Sequence, residues 1–299
     1  MTSFKNLTLY RLPGDFLPTL TPCRLDSALA ANPLIEPGPL EMSRTGFYPL
    51  VQLGGAYTQR IGDRVLFCLA TSKRLLPSAA IAQALQTKLA EIQVTTGQTA
   101  SPRKRRKLRD EVVLTMMPQA FVLATYTQCV IDLATGWVWV DTSSNAKADA
   151  CITMLREALG SFPAIHIGNT PGVRTTLTSW LSAASSPRTP DLAIGTAAVL
   201  AEPVEQGSRI AAKHQEMFSD EIGEHLRSGK QCEQLALSLE GQLDFSIDAA
   251  LVVRGIKFAD ETVASDVDDD ILASVTLELA DLARIVAVIE AEFEPEEPV

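Results

Sequence analysis

The sequence PSAAIAQALQTKLAEIQVTTGQTASPRKRRKLRDEVVLTMM, residues 77–117, decides the fold of the N-terminal part because it predicts two helices joined by a short polar loop. The first helix carries an apolar stripe at helical spacing, formed by Ile81, Leu85, Leu89 and Ile92. Ser101 suits the N-cap of a second helix and Pro102 its first position, and the pattern runs to about Met117. Two helices with so short a connection predict an antiparallel hairpin.

Short apolar or alternating runs on both sides of this hairpin predict strands. The runs are Phe4–Leu12, Arg64–Ala70, Ala120–Tyr126, Cys129–Leu133 and Trp137–Thr142. Residues 13–55 are rich in Pro and Gly, which favours irregular structure with short strands. A further helix is predicted from Ser144 to Gly160. Residues 1–181 therefore predict an N-terminal α+β region that includes the hairpin.

The stretch SAASSPRTPD, residues 182–191, has the composition of a linker, and the pattern of strands and helices restarts after it. Leu235, Leu237 and Leu239 alternate with polar residues, which predicts a strand in a meander with one solvated face. A final helix carries apolar residues at 3-4-3-4-3 spacing, a short heptad seam. Residues 192–299 therefore predict a second α+β region, and the whole chain is assigned to the α+β class.

Charge is distributed unevenly along the 299 residues, whose net charge is −10. Thirteen acids and one base lie between Asp260 and Val299, whereas Lys73–Arg109 contains nine bases and one acid. Such polarity leaves a strongly basic region within an acidic protein. The N-terminus lacks the features of a signal peptide and no apolar run is long enough to span a membrane, so we expect a soluble, cytoplasmic protein with no membrane partner.

The run Arg103-Lys104-Arg105-Arg106-Lys107, followed by Arg109, is the sharpest local feature. It lies in the first turns of the predicted second helix, where positive charge opposes the helix dipole and repels its neighbours. Asp110 and Glu111 offer only partial compensation through Arg106 and Lys107. Two interpretations stay open: a solvated surface helix, or a surface that binds an anionic partner such as DNA.

Residues that could carry catalysis give weaker patterns. The cluster Asp266-Val267-Asp268-Asp269-Asp270 begins like a calcium loop, but Ile271 and Leu277 occupy positions that require Gly and Glu. These acids favour helix capping, with a metal-dependent nuclease using residues 260–270 as one rival function and a protein-binding scaffold using the heptad seam as another. No nucleotide-binding or hydrolase motif occurs. We therefore expect no enzyme activity, no catalytic residue, no cofactor and no metal.

Several long segments resemble the bacterial family of the recombination-associated protein RdgC. They include FKNLTLYRL near the start, LLPSAAIAQALQTKLAEIQ, LRDEVVLTMMPQAF, WVWVDTSSNAKADACITMLREALGS, LTSWL, and the stretch from KHQEMFSDEIGEHLRSGKQ to VVRGIKFADE. They occur in the family's order across nearly the full chain. The resemblance implies a non-enzymatic protein that encircles duplex DNA as a ring-shaped homodimer without reading its sequence. It also implies nucleoid association and restraint of the RecA recombinase, with single-stranded DNA as a further partner.

The resemblance also assigns roles to residues of this chain. It places a dimer contact near Phe121, and the hairpin and the C-terminal region at the two ends of the ring. Together with the seam, this predicts a dimer interface of Phe121, Leu272, Leu279 and Val286. Lys213 and Gln215 match a segment that faces the hole. With the bases noted above, the predicted DNA-binding residues are Lys73, Arg74, Lys88, Arg103, Lys104, Arg105, Arg106, Lys107, Arg109, Arg209, Lys213 and Gln215.

Overall fold

The computed structural model describes residues 3–204, 207–258 and 271–296, which form seven α-helices and twelve strands. The helices are α1 (Pro22–Ala30), α2 (Ser78–Thr96), α3 (Pro102–Met116), α4 (Asn145–Leu159), α5 (Val173–Leu181), α6 (Asp220–Arg227) and α7 (Ile271–Phe293). The strands are β1 (Asn6–Arg11), β2 (Ser43–Tyr48), β3 (Thr58–Ile61), β4 (Arg64–Arg74), β5 (Val122–Asp132), β6 (Trp137–Val140), β7 (Ile165–His166), β8 (Leu192–Ala201), β9 (Arg209–Lys213), β10 (Gln231–Leu239), β11 (Leu243–Asp248) and β12 (Val253–Phe258). The α+β class is confirmed.

One antiparallel sheet runs through the described residues in the order β2-β4-β5-β6-β1-β12-β11-β10-β8-β9, with β3 and β7 paired at its side. The first strand is central in this order. Leu9 pairs with Trp139 of β6, and Leu7 pairs with Val253 of β12. Strand β1 therefore joins the N-terminal strands to the C-terminal meander.

Two apolar cores form within the described residues. One packs Leu7 and Leu9 with the inner face of the C-terminal strands and with α5 and α7, and the other packs α1 and α4 against the N-terminal strands. Trp137 and Trp139 are buried in the first of these cores, so neither side chain is available to stack on a base.

The helix pair α2 and α3 is inserted at the end of the β4–β5 ladder. The last ladder pair is Arg74 with Val122, and the Leu75 amide then donates to the Phe121 carbonyl at 2.8 Å. The chain therefore leaves and re-enters the sheet at adjacent points. Helix α2 has no buried residue, so its apolar stripe is only partly covered, in part by α3, which it contacts.

Two local predictions differ from the structure. The strands predicted at 120–126 and 129–133 are one strand, β5, because β4 pairs with it without interruption. The region 13–55 contains an unpredicted helix, α1, whose N-cap is Thr21 and whose first residue is Pro22. The Thr21 hydroxyl accepts from the Arg24 amide, so a local start signal was present in the sequence.

The segment predicted as a linker is anchored to α7 by its polar residues. The amide and hydroxyl of Thr189 donate to the buried carboxylate of Glu292 at 2.5 and 2.6 Å, and Arg188 forms an ion pair with Glu294 at 2.6 Å. These contacts fix residues 188–189 against the end of the last helix. The division into residues 1–181 and 192–299 stays a prediction, although the sheet continues across it.

Two carboxylates hold the start of β1 in place. Asp141 accepts from the amides of Lys5 and Asn6 at 3.1 and 3.0 Å, and Glu278 of α7 accepts from the Phe4 amide at 2.5 Å. Burial raises the pKa of both side chains, and these hydrogen bonds offset only part of that rise. The start of β1 is therefore held both by the residue that follows β6 and by α7.

Candidate nucleic-acid interface

The bases of the sequence run form one exposed surface on α3. Ser101 caps this helix by accepting from the Lys104 amide, and Pro102 occupies its first position, which fixes where the run begins. All six side chains are exposed. We call the α3 basic surface the set Arg103, Lys104, Arg105, Arg106, Lys107 and Arg109.

After its exposed first turns, α3 packs against protein along one stripe. Val112 is buried, while Leu108 and Met116 are half-buried on the same stripe. The bases therefore do not contribute to packing, and their removal leaves the apolar contacts of α3 intact. Because consecutive helical residues point about 100° apart, five bases in a row surround the first turns of α3 with positive charge that faces solvent or a charged partner.

No member of the α3 basic surface forms an ion pair within residues 3–204, 207–258 and 271–296. The pairs expected between Asp110 or Glu111 and Arg106 or Lys107 are among those absent from this part of the chain. The first turn also contains no acid. The charges consequently repel each other and the helix dipole without compensation, so an anionic partner would relieve that repulsion.

The remaining bases predicted near the hairpin have different environments. Lys73 is exposed and Lys88 is half-buried. Arg74 is buried, and its guanidinium donates to the carbonyls of Met117 and Pro37 at 3.0 and 3.1 Å. Arg74 is therefore corrected from a predicted phosphate contact to a structural residue that fixes the base of the helix pair, because it is buried and both its Nη1 and Nη2 already donate to carbonyls inside the chain.

A second basic surface lies on the outer face of the C-terminal strands. Arg209 and Lys213 alternate outward along β9, with Ala211 between them. The row Ala211, Val199, Gln234 and Asp248 follows the registers across four strands. Arg254 shares this face because its partner Ser246 lies two residues from Asp248 on β11. The sequence interpretation missed Arg254, although the alternation of β12 was the available signal.

Gln215 is engaged by its own chain. Its side-chain amide donates to the Ser219 hydroxyl at 3.3 Å and to a carboxylate oxygen of Glu221 at 2.9 Å, at the start of α6. The preceding His214 has a φ of 54°, which turns the chain from β9 toward this helix. Contact between Gln215 and DNA stays a prediction, and it requires these hydrogen bonds to be exchanged.

The predicted dimer residues divide by burial. The Phe121 side chain is 84% exposed and Leu272 is 49% exposed, whereas Leu279 is 0% and Val286 is 4% exposed. Helix α7 packs its seam into the chain's own core. Leu279 and Val286 are therefore corrected to core residues, and the seam does not offer a surface for a partner helix.

An open strand edge begins directly after Phe121. Strand β5 pairs with β4 along its whole length, but β6 pairs with it only from Cys129 to Ile131. The stretch from 122 to 127 therefore has one unpaired edge among the described residues. Its exposed apolar residues, together with Phe121, form what we call the β5 apolar edge: Phe121, Val122, Leu123 and Tyr126. Unpaired edges with apolar flanks favour pairing with another strand.

The acidic cluster of residues 260–270 lies outside the described residues, so the rival nuclease site has no geometry here. In the part of the chain that is described, no group of three or more His, Cys, Asp or Glu side chains is arranged to hold a metal ion. Nor does any helix there have the length and apolar character needed to cross a membrane.

Comparisons with known proteins cover nearly the whole chain. A family model described as "Putative exonuclease, RdgC" matches residues 3–295. The recombination-associated protein RdgC of Xanthomonas oryzae pv. oryzae (strain PXO99A) is 33% identical over 298 residues, 96% of each chain. The protein of the same name from Xanthomonas axonopodis pv. citri (strain 306) is 34% identical over 86% of this chain and 84% of its own. That of Xylella fastidiosa (strain 9a5c) is 32% identical over 96% of each.

Proposed function

This chain belongs to the RdgC family of recombination-associated proteins, and on that basis we propose that it binds DNA without reading base sequence and catalyses no reaction. The observation that carries the proposal is the α3 basic surface, with six exposed bases that lack ion-pair partners among the described residues. Lys and Arg bind phosphates, and the release of condensed counterions drives such binding. Phosphate contacts carry no base information, so the affinity is independent of sequence.

The second part of the proposal is a ring-shaped homodimer that encloses duplex DNA. The family resemblance supports it, and so does the β5 apolar edge, where Phe121 is almost fully exposed in the single chain. Apolar residues of this size are seldom left exposed side by side unless they meet a partner. Leu272, the exposed member of the predicted C-terminal contact, is assigned to the other end of the ring. Closure slows release, because DNA leaves only when an interface opens.

The biological part of the proposal rests on the family alone. A protein that covers duplex DNA without sequence preference competes with the RecA recombinase for the same DNA, and it acts in the cytoplasm in association with the nucleoid. Single-stranded DNA is a weaker second ligand in this proposal. In this proposal the acidic C-terminal sequence limits DNA binding outside the ring, because its negative charge repels phosphates.

The test is binding of two labelled duplexes of equal length and unrelated sequence, measured by fluorescence anisotropy from 50 to 200 mM salt. We expect equal affinities for the two duplexes and a steep fall of both with salt. A strong preference for one duplex, or an affinity that salt leaves unchanged, contradicts the proposal. Size-exclusion chromatography of the complexes with nicked circular and with linear duplex, repeated over time, tests for the ring. The complex with circular DNA should dissociate more slowly.

A second candidate function is exonuclease activity, which the description of the family model names. The acids between Asp260 and Asp270 are the sequence feature that would serve it, because clustered carboxylates bind the Mg²⁺ that assists phosphodiester hydrolysis. Incubation of end-labelled duplex with the protein and Mg²⁺ separates the two functions. Shortening of the DNA that disappears in EDTA supports the exonuclease, and intact DNA supports the binding protein.

A further inference from the structure

A polar cleft of about 560 Å³ opens on the C-terminal part of the protein, next to the outer sheet face. Five elements contribute its charged lining, which consists of Arg174 on α5, Arg209 on β9, Glu233 on β10, Asp248 on β11 and Arg254 on β12. Gly168, Ala249 and Ala250 complete it with small residues that leave space for a ligand. Its volume lies within the range of pockets that bind small molecules.

In one ion pair of this lining, between Asp248 and Arg254, both carboxylate oxygens are already engaged by donors of the chain. One oxygen of Asp248 accepts from Nε and Nη2 of Arg254 at 3.0 and 2.8 Å, and the other accepts from the amides of Ala250 and Val252 at 3.0 Å each. Asp248 thus has four donors and offers little to a ligand. The pair forms a neutral wall of fixed geometry.

The other arginines leave donors unused. Arg174 binds Glu233 through Nη2 at 2.7 Å, its side chain is 42% exposed, and its Nη1 has no hydrogen-bond partner among the described residues. The Arg209 guanidinium is exposed and has no ion-pair or hydrogen-bond partner among the described residues. The lining therefore carries one uncompensated positive charge and guanidinium donors that no described residue accepts. An oxyanion would supply acceptors for them.

We propose that this cleft binds a phosphate ester, with the phosphate held by the Arg209 guanidinium and the exposed part of the Arg174 guanidinium. The planar donor set of arginine matches the oxygens of a phosphate group. The cleft is larger than a phosphate alone, so the ligand is a nucleoside phosphate, either free or as a nucleotide of a bound DNA strand. In the second case the inference rests on the proposed DNA binding; in the first it is independent of it.

The experiment is a ³¹P NMR titration of the full chain with dAMP, with deoxyadenosine followed by proton NMR as the ligand that lacks the phosphate. The test variant is Arg209→Gln, which breaks no described contact of the side chain. Arg227→Gln is the matched control, because Arg227 on α6 is also exposed and unpaired among the described residues but does not line this cleft. Circular dichroism melting verifies that both variants fold.

We expect dAMP to bind and deoxyadenosine not to bind. Arg209→Gln should weaken dAMP binding about tenfold, the loss expected for a charge-assisted contact, and Arg227→Gln should leave it within about twofold. Absence of dAMP binding, or equal weakening in both variants, overturns the proposal. Competition of dAMP with a duplex assigns the site to bound DNA, and simultaneous binding assigns it to a free nucleotide. If the protein keeps its affinity for duplex DNA but does not bind dAMP, this inference fails and the proposed DNA binding is unaffected.

Discussion

Neutralising Arg105 and Arg106 together should lower the salt dependence of DNA binding by the amount expected for two phosphate contacts. From Arg103 to Arg109 the helix rises about 9 Å, and duplex DNA carries one charge per about 1.7 Å, so this length faces about five phosphates before side-chain reach is added. Side-chain reach raises that number, so the six bases of the α3 basic surface set the upper limit of about six phosphate contacts.

Six contacts give a log–log salt slope of about −5.4, and four give about −3.6. Between 50 and 200 mM salt, the affinity of the unmodified protein should therefore fall about 2,000-fold, and that of Arg105→Gln with Arg106→Gln about 150-fold. Melting should not suffer, because both side chains are exposed and unpaired among the described residues. Removing positive charge from the first turns even favours the helix dipole.

Fluorescence anisotropy with one duplex at four salt concentrations measures both slopes. The control is Lys147→Gln with Arg227→Gln, which removes two exposed bases that also have no ion pair among the described residues and changes the net charge equally. A slope that changes as much in the control as in the α3 variant would refute the reasoning, since the effect would then come from net charge. An unchanged slope in the α3 variant shows that this surface is only solvated.

Three further outcomes follow from single residues. Phe121→Ala should leave melting unchanged but weaken dimerisation by about 2 kcal/mol, seen by analytical ultracentrifugation; a lower melting temperature would make Phe121 a core residue instead. Arg74→Met leaves buried carbonyls without donors and should cost about 3 kcal/mol in urea unfolding, while folded protein keeps its DNA affinity; a neutral effect contradicts the structural role. Because burial raises the pKa of Asp141, lowering the pH toward that pKa should stabilise the unmodified protein relative to Asp141→Asn, and the opposite trend in melting contradicts burial as the cause.

Local signals explain the parts of the fold that the sequence predicts. Helices α2 and α3 follow from an apolar stripe and from the Ser101–Pro102 start, and β10 follows from strict alternation of leucines. Strand β8 was missed because its residues are small and weakly apolar, and only its neighbours β9 and β10 make it a strand. The anchoring of Thr189 by Glu292 joins residues about a hundred positions apart, which no local pattern contains.

The candidate nucleic-acid interface is likewise predicted by the sequence only where the signal is local. Exposed charge on α3 was readable because a run of bases cannot be buried, whereas the isolated Arg74 looked the same in sequence and proved to be buried. The heptad seam of α7 was read correctly as apolar, but spacing does not say whether Leu279 faces its own sheet or a partner. Arg174 and Arg254 acquire a shared role only when α5 and β12 meet at one cleft.

The central position of β1 has a consequence for synthesis on the ribosome. Its neighbour β6 is translated in the first half of the chain, but β12 emerges about 250 residues after β1, a delay of about 12 to 50 s at bacterial elongation rates. During that interval Asn6 and Leu7, the residues of β1 that pair with β12, have an unpaired edge in the nascent chain. Such an edge is a template for aggregation. Pairing with β12 removes it, so complete folding of the first strand depends on synthesis of the last one.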